Sequence, residues 1–292
     1  MNKIPKMMLS GLFVLVLSIL LGGNPVKAAS CVESLCDYTS KNTTVSADLT
    51  GDAQKDTIQF KMTLDKECGY IQKLRVFVNG TKALTVKEKD SYYHITATYI
   101  QMTRTKNFLQ ITGRGDNDYC TFNSIYRYDS KNKKLIRVLD LTSNNLLADG
   151  QVVKATGKKI VIDHGFQPSE TGWLRWKYSY VYKNNKFKRS SDTASVKSSL
   201  GDSMSKDGYG KYFANNQFVA ARSIRFYSST KMNKTAFSAK KGDVLTLKKI
   251  KISGSKMYLQ YQNGTKTGWI EVNKRGYMEK PFFYGVNERL AG

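Results

Sequence analysis

The chain has 292 residues and carries 47 lysines and arginines against 23 aspartates and glutamates, a formal net charge of +24. That length exceeds the usual single domain, and past the first thirty residues no stretch is apolar enough to span a bilayer, so two domains and no later membrane span are expected. A positive excess of this size draws a protein toward polyanions by a long-range attraction that weakens as salt rises.

At the N-terminus, Lys3 and Lys6 precede the apolar run "MMLSGLFVLVLSILLGG", and "NPVKAAS" follows with a helix breaker and small residues. Residues 1–29 therefore have the order of a secretory signal, with cleavage expected near Ala28 or Ala29. The run is short of the ~20 apolar residues of a comfortable membrane span, which disfavours an uncleaved anchor. Cleavage would remove Lys3, Lys6 and Lys27 and no acid, leaving 44 basic against 23 acidic side chains. The expected location is secreted, extracellular or cell-wall associated. Cys31, Cys36, Cys68 and Cys120 form an even set in an exported chain, so two disulfides are expected, with three pairings open. A lipid on Cys31 is disfavoured because Ala28 stands where a leucine is usual.

Residues 30–190 are expected to fold as an antiparallel β domain. Just ahead of its first clear strand lies "DLTGDAQKD", an acidic loop in a basic chain. Calcium takes six to eight oxygens, and Asp48, Thr50, Asp52, Asp56 and the carbonyl of Gln54 occupy the first, third, fifth, ninth and seventh places of a wrapping loop. In "DTIQFKMTL" the apolar Ile58, Phe60, Met62 and Leu64 alternate with Thr57, Gln59, Lys61 and Thr63, the period of a strand with one face on a core. Asn79-Gly80 and Asn184-Asn185 supply residues that tolerate the positive φ of tight hairpins. Further strands are expected over 92–101, 108–112, 120–128, 134–141, 159–163 and 172–183, and no segment keeps a helical period for three turns.

The nine-residue acidic loop resembles the "DxNGDGxxD" loop of integrin-α-like and VCBS (FG-GAP) propeller repeats, and that resemblance implies calcium between strands. Thr50 and Ala53 depart from it, one losing a stronger oxygen ligand and the other a turn glycine. No second clear copy follows, and a propeller needs four or more blades. An incomplete propeller or a sandwich is the expected arrangement.

Toward the end of this domain, "GWLRWKYSYVYKNNKF" puts Leu174, Trp176, Tyr178, Tyr180 and Tyr182 on one face of a strand, expected to be core. Trp173, Arg175 and Lys177 lie on the other face and are candidates for a binding surface. Arg114-Gly115-Asp116, the tripeptide integrins recognise, is read as a polar turn. His94 and His164 have no nucleophile or metal-ligand neighbours by spacing, and no protease, hydrolase or phosphate-loop motif is present.

Residues 191–216, rich in Ser, Gly, Asp and Lys, read as a linker with at most a short helical turn. Residues 217–285 follow as a second domain. Its "ARSIRFYSST", "AKKGDVLTL" and "GTKTGWIEV" stand in the order of a bacterial Src-homology-3-like (SH3-like) domain, which this segment resembles. The resemblance implies a small barrel that docks on peptidoglycan or on peptides. A phase change among Leu245, Leu247, Ile250 and Ile252 predicts a bulge at Lys248-Lys249, and Trp269 is placed in the core. Lys240, Lys241, Lys248, Lys249 and Lys251 are the candidate contacts for an anionic polymer.

The expectation is thus an all-β, exported, non-catalytic binding protein. Its partner is a cell-wall polymer, peptidoglycan or teichoic acid, with a protein ligand as a second partner and no specific nucleic acid. A secreted enzyme or enzyme accessory and a calcium-dependent adhesin are the alternatives.

Overall fold

The alternation in β3 (Asp56–Leu64) is carried through: Ile58 and Phe60 are fully buried, Thr57 and Lys61 face water, and the pattern frays at Leu64, which is exposed. This is a computed structural model, and it describes residues 30–87, 92–116, 119–199, 216–272 and 279–286. The signal segment, 1–29, and most of the predicted linker, 200–215, lie outside the described residues.

The described chain is all β and antiparallel. In the first sheet β3 pairs with β2 (Thr43–Ala47) and β4 (Ile71–Val78), and β5 (Thr81–Val86) adds to β4. Asn79 and Gly80 both take positive φ, 47° and 75°, and close the β4–β5 hairpin. The second sheet has the order β1 (Cys31–Thr39), β6 (His94–Thr103), β7 (Lys106–Arg114), β8 (Cys120–Asp129) and β9 (Lys134–Asp140). The third sheet begins with β10 (Gly150–Ala155), β11 (Lys159–Phe166), β12 (Leu174–Lys183) and β14 (Thr193–Ser199), with β13 (Lys186–Arg189) paired to β12. It continues through β18 (Val244–Ser253), β19 (Lys256–Asn263), β20 (Lys266–Val272), β16 (Ile224–Tyr227) and β17 (Thr235–Ala239), while β15 (Gln217–Val219) pairs β18.

The five-stranded sheet is the middle layer because its strands are apolar on both faces. Ile95, Ala97, Leu109 and Ile111 share a core with Phe60, Leu74 and Val76 of the first sheet. Ile100, Phe108 and Ile125 turn the other way, toward Ile160, Ile162 and Tyr180 of the third. Each large side chain fully removed from water here contributes roughly 1.5–3 kcal/mol before entropy is counted. Where a strand is predicted, one stands; β1, β2, β10 and β14 are additions. β1 and β10 are sheet edges with bulges, which breaks the alternation that reveals a strand in sequence.

A buried amide pair fastens the second sheet to the third. Gln110 Nε2 donates to Asn123 Oδ1 at 2.8 Å and to the Gly150 carbonyl at 2.7 Å, while its Oε1 accepts from Val152 N–H at 3.0 Å. Asn123 Nδ2 donates to the Ala148 and Gly150 carbonyls at 2.9 and 2.7 Å. Gly150 has no room for a side chain, since an added Cβ would lie 2.7 Å from the His164 ring.

Part of the predicted linker is ordered sheet. Thr193–Ser199 form β14, whose Leu174 to Trp176 ladder joins β12 and whose Thr193 to Ser195 ladder joins β18. The seam is reinforced by Ile252 N–H on the Asp192 carbonyl (2.9 Å), Tyr178 Oη on the same carbonyl (2.7 Å) and Arg189 Nη2 on the Ile252 carbonyl (2.7 Å). The described linker residues 193–199 satisfy backbone groups in these ladders rather than in a helical turn.

The C-terminal strands differ from the expected small barrel. They extend the third sheet, and the described ladder does not close on itself. The predicted bulge is present: the β18–β19 register shifts between Leu247 and Lys249, and there β18 changes its other partner from β15 to β14. Trp269 is only half-buried and faces outward, since its neighbours Gly268 and Ile270 are the buried ones. Its expected place in the core is taken by Phe218, Phe226, Tyr261 and Phe283, whose rings meet at 5.0–5.7 Å. Gly268 is needed because an added Cβ would approach Phe226 to 2.7 Å.

The two expected disulfides are not formed: all four cysteines are free. Cys31 and Cys36 lie on one strand, on the order of 15 Å apart, beyond the ~7 Å Cα reach of a disulfide. Cys68 is exposed in the β3–β4 turn, whereas buried Cys120 sets its sulfur 3.3 Å from the Ala148 carbonyl. Burial pushes the Cys36 thiol up to about 11 and the Cys120 thiol up to about 12. Timed maleimide labelling of the folded protein with peptide mapping should modify Cys68 first and Cys120 only on unfolding; early labelling of Cys120 would contradict this packing.

Candidate functional site

On β12 the burial pattern alternates, so that Leu174, Trp176, Tyr178 and Tyr180 point into the core while Arg175 and Lys177 point out. Asp163, their neighbour on β11, sits 3.5 Å from the Arg175 guanidinium and 3.6 Å from the Lys177 ammonium. Trp173 is half-buried and lies across Gly165, where an added Cβ would be 3.2 Å from the indole. Aromatic packing on a bare backbone needs that glycine.

Strand β14 carries this outer face onward. Ser195 pairs with Lys249 and Thr193 with Lys251, and directly paired residues point to the same side of a sheet. The next registers run Lys249, Gln260, Trp269, Tyr227 and, one row along, Lys251, Tyr258, Glu271. Cations are thus followed by aromatic rings and amides on a single sheet surface. Lys248 and Lys249 are exposed at the bulge; Lys251 is 3.3 Å from Asp192, and Lys256 is 3.1 Å from Glu271. Hydrogen bonding from Thr193, with Lys251 beside it, holds the Asp192 carboxyl below the usual range.

Of the candidate binding residues, Arg175, Lys177, Lys249 and Lys251 share this face, with Lys248 at its bulge and Trp173 at the start of β12. Lys240 and Lys241 are exposed at the β17–β18 turn, several strand steps from Lys249, and belong to another part of the surface. The sequence reading missed Tyr227 in the row of Trp269 and the buried Tyr258 in the next, and it placed Trp269 inside. Their register, which depends on three strand pairings, is what assembles the row. Outward residues at a two-residue period were the available signal.

The acidic loop is organised by its own N–H groups. Asp56 Oδ2 accepts from Leu49 and Thr50 N–H at 2.7 and 2.8 Å, and its Oδ1 accepts from Asn79 Nδ2 at 2.7 Å. Asp48 accepts from Gly51 and Ala53 N–H at 2.7 and 3.0 Å, and Asp52 from Gln54 N–H at 2.8 Å. Ala53 holds φ at 71°, the left-handed turn for which the resembling loops keep glycine, at a cost of about 1 kcal/mol. Calcium at Asp48, Thr50, Asp52, Gln54 and Asp56 would share the Asp48, Asp52 and Asp56 carboxylates with these N–H donors, through lone pairs that the hydrogen bonds leave open.

His164 is fully buried between the Leu147 carbonyl, 3.2 Å from Nδ1, and the Tyr180 hydroxyl, 3.0 Å from Nε2, with Trp176 stacked on its ring. Burial depresses its pKa to about 3, so it is neutral at physiological pH and sealed from any substrate. Arg114 of the Arg-Gly-Asp tripeptide turns inward, 2.7 Å from Asp149, so the tripeptide is not displayed as a recognition loop. No protein-family model, curated protein or solved structure matches the chain.

Asp56→Ala strips the acceptor from two backbone N–H groups and the Asn79 amide and should cost about 3 kcal/mol in urea melts. In the same assay, a rise in stability with added calcium that Asp52→Ala abolishes would assign an ion to this loop, and an unchanged value would assign its order to hydrogen bonds. For His164, only the unfolded chain takes up a proton as pH falls from 6.5 toward 3, so stability present above pH 6.5 is lost over that window. The slope is about 1.4 kcal/mol per pH unit, or about 2 kcal/mol between pH 6.5 and 5. His164→Gln should remove that part of the acid sensitivity, whatever its effect at neutral pH.

Proposed function

We propose that the mature chain is a secreted, non-catalytic protein that binds anionic polymer of a bacterial cell wall, teichoic acid foremost, through the outer face of its largest sheet. The observation that carries this reading is the continuous face running from Arg175 and Lys177 through Lys249 and Lys251 to Trp269 and Tyr227. Exposed ammonium groups supply long-range attraction to a polyphosphate chain, and half-buried rings beside them add contact area for its sugar or polyol units. The signal-like order of residues 1–29 and the excess of 44 basic over 23 acidic side chains beyond it agree with a protein working against a polyanionic wall. The ordered C-terminal motifs that resemble SH3-like wall-binding modules point the same way.

Co-sedimentation of mature protein with purified cell walls, with and without teichoic acid and across a salt series, tests the reading. Binding should be strong at low salt, fall when teichoic acid is stripped, and fade as the screening length drops below about 10 Å near 0.1 M salt. Charge reversal of the exposed pair, Lys248→Glu with Lys249→Glu, should weaken low-salt binding on the order of tenfold, and the same change at Lys240 and Lys241 should do distinctly less. Equal losses from both pairs would reduce the effect to net charge alone, and no sedimentation at low salt would remove the wall assignment.

A further inference from the structure

Along the edge of the basic face, where Gln151 of β10 pairs with Asp163 beside Lys177, lies a concave surface of mixed polar and apolar lining. Edge strand β1, strand β6, the end of β7 and edge strand β10 enclose a cleft of roughly 370 Å³, a size within the usual range for small-molecule sites. Thr96 and Thr98 of β6 line it, with Ser34 of β1 beside them. Arg114 at the end of β7 shares their sheet, and Gln151 reaches in from β10 of the third sheet. Gln151 Nε2 donates to Thr98 Oγ1 at 2.6 Å, and Arg114 is fixed by Asp149 at 2.7 Å, so these polar groups are held in place before any ligand arrives.

At the rim stands Tyr38, whose backbone is in the left-handed region at φ 43° and whose side chain is 56% exposed. The β1–β6 register slips between Cys36 and Thr39, so Tyr38 sits on a bulge, and its ring rests 4.6 Å from the His94 imidazole. A tyrosine in this conformation costs stability, and an exposed ring recovers little of it by burial. Bulges re-aim single side chains at sheet edges, and strained residues gather at ligand sites.

We propose that this cleft binds a short, uncharged saccharide, with the Tyr38 ring stacked on the C–H-rich face of a sugar. The Asp37 carboxylate accepts hydrogen bonds from sugar hydroxyls, Arg114, steadied by Asp149, donates to them, and the Ser34, Thr96 and Gln151 side chains do either. A polyol needs that mixture of donors and acceptors. A polyanion does not, because the Arg114 charge is already balanced by Asp149 and Asp37 adds a negative one, which separates this site chemically from the lysine-rich sheet face. The saccharide site stands whether or not the wall-polymer reading does.

Calorimetric titration of the full mature chain with cellobiose, maltose and N,N′-diacetylchitobiose tests it. At least one sugar should bind saturably near 1 mM, a weak but specific affinity. Tyr38→Ala should weaken it at least about tenfold, Tyr38→Trp should retain it, and Lys249→Glu should leave it unchanged. Tyr38→Gly, which relieves the left-handed strain, should lose the sugar while keeping or raising the thermal midpoint. No saturable heat with any of the three sugars overturns the proposal. So does full binding by Tyr38→Ala, and so does a lowered midpoint in Tyr38→Gly, which would make Tyr38 a packing residue.

Discussion

The backbone ladder that unites the two halves of this molecule passes through β14. Its seven residues satisfy backbone groups on both edges, with β12 on one side and β18 on the other, so the third sheet is a single hydrogen-bonded surface. Without that strand, β12 and β18 would each present an open edge, a template for unwanted pairing. The bulge at Lys248-Lys249 is the counterpart of this arrangement, because β18 uses one half of an edge for β15 and the other half for β14. A local irregularity in one strand thereby allows a continuous ladder through nine strands, with β13 and β15 paired beside it.

Polar groups buried between the layers do work that apolar packing cannot. Gln110 and Asn123 hold an edge strand in one register, since each carbonyl and N–H they meet would be left unpaired after a slip of one residue. His164 does the same for the Leu147 carbonyl and the Tyr180 hydroxyl, and the surrounding rings keep it neutral. Tyr261 pairs burial with the nearby Glu170 carboxylate, and both push its hydroxyl well above the ordinary value.

Charge is distributed by element. The few acids on the outer face sit beside particular cations, Asp163 by Arg175 and Lys177, Asp192 by Lys251 and Glu271 by Lys256. The pairs open to water contribute little to stability, whereas Asp163 is largely buried, and together they set where positive charge remains unbalanced. The acids of the Asp48 to Asp56 loop are used differently, as acceptors for a tight turn that meets the Asn79 hairpin.

The sequence by itself determined the all-β class, the outward and inward faces of β3 and β12, the Asn79-Gly80 and Asn184-Asn185 turns, and the bulge in β18. Each of these is set by residues within one strand or one turn, where a two-residue period or a tolerated positive φ decides the outcome. Only the tertiary structure decided that the cysteines are free, that the described C-terminal strands extend a sheet without closing, that Trp269 faces outward, and that β14 is a strand. It also decided that Tyr38 stands over a cleft and that Lys249, Trp269 and Tyr227 share a row. These depend on which distant strand supplies the partner N–H or carbonyl, and a strand's own residues carry its period without naming its neighbour.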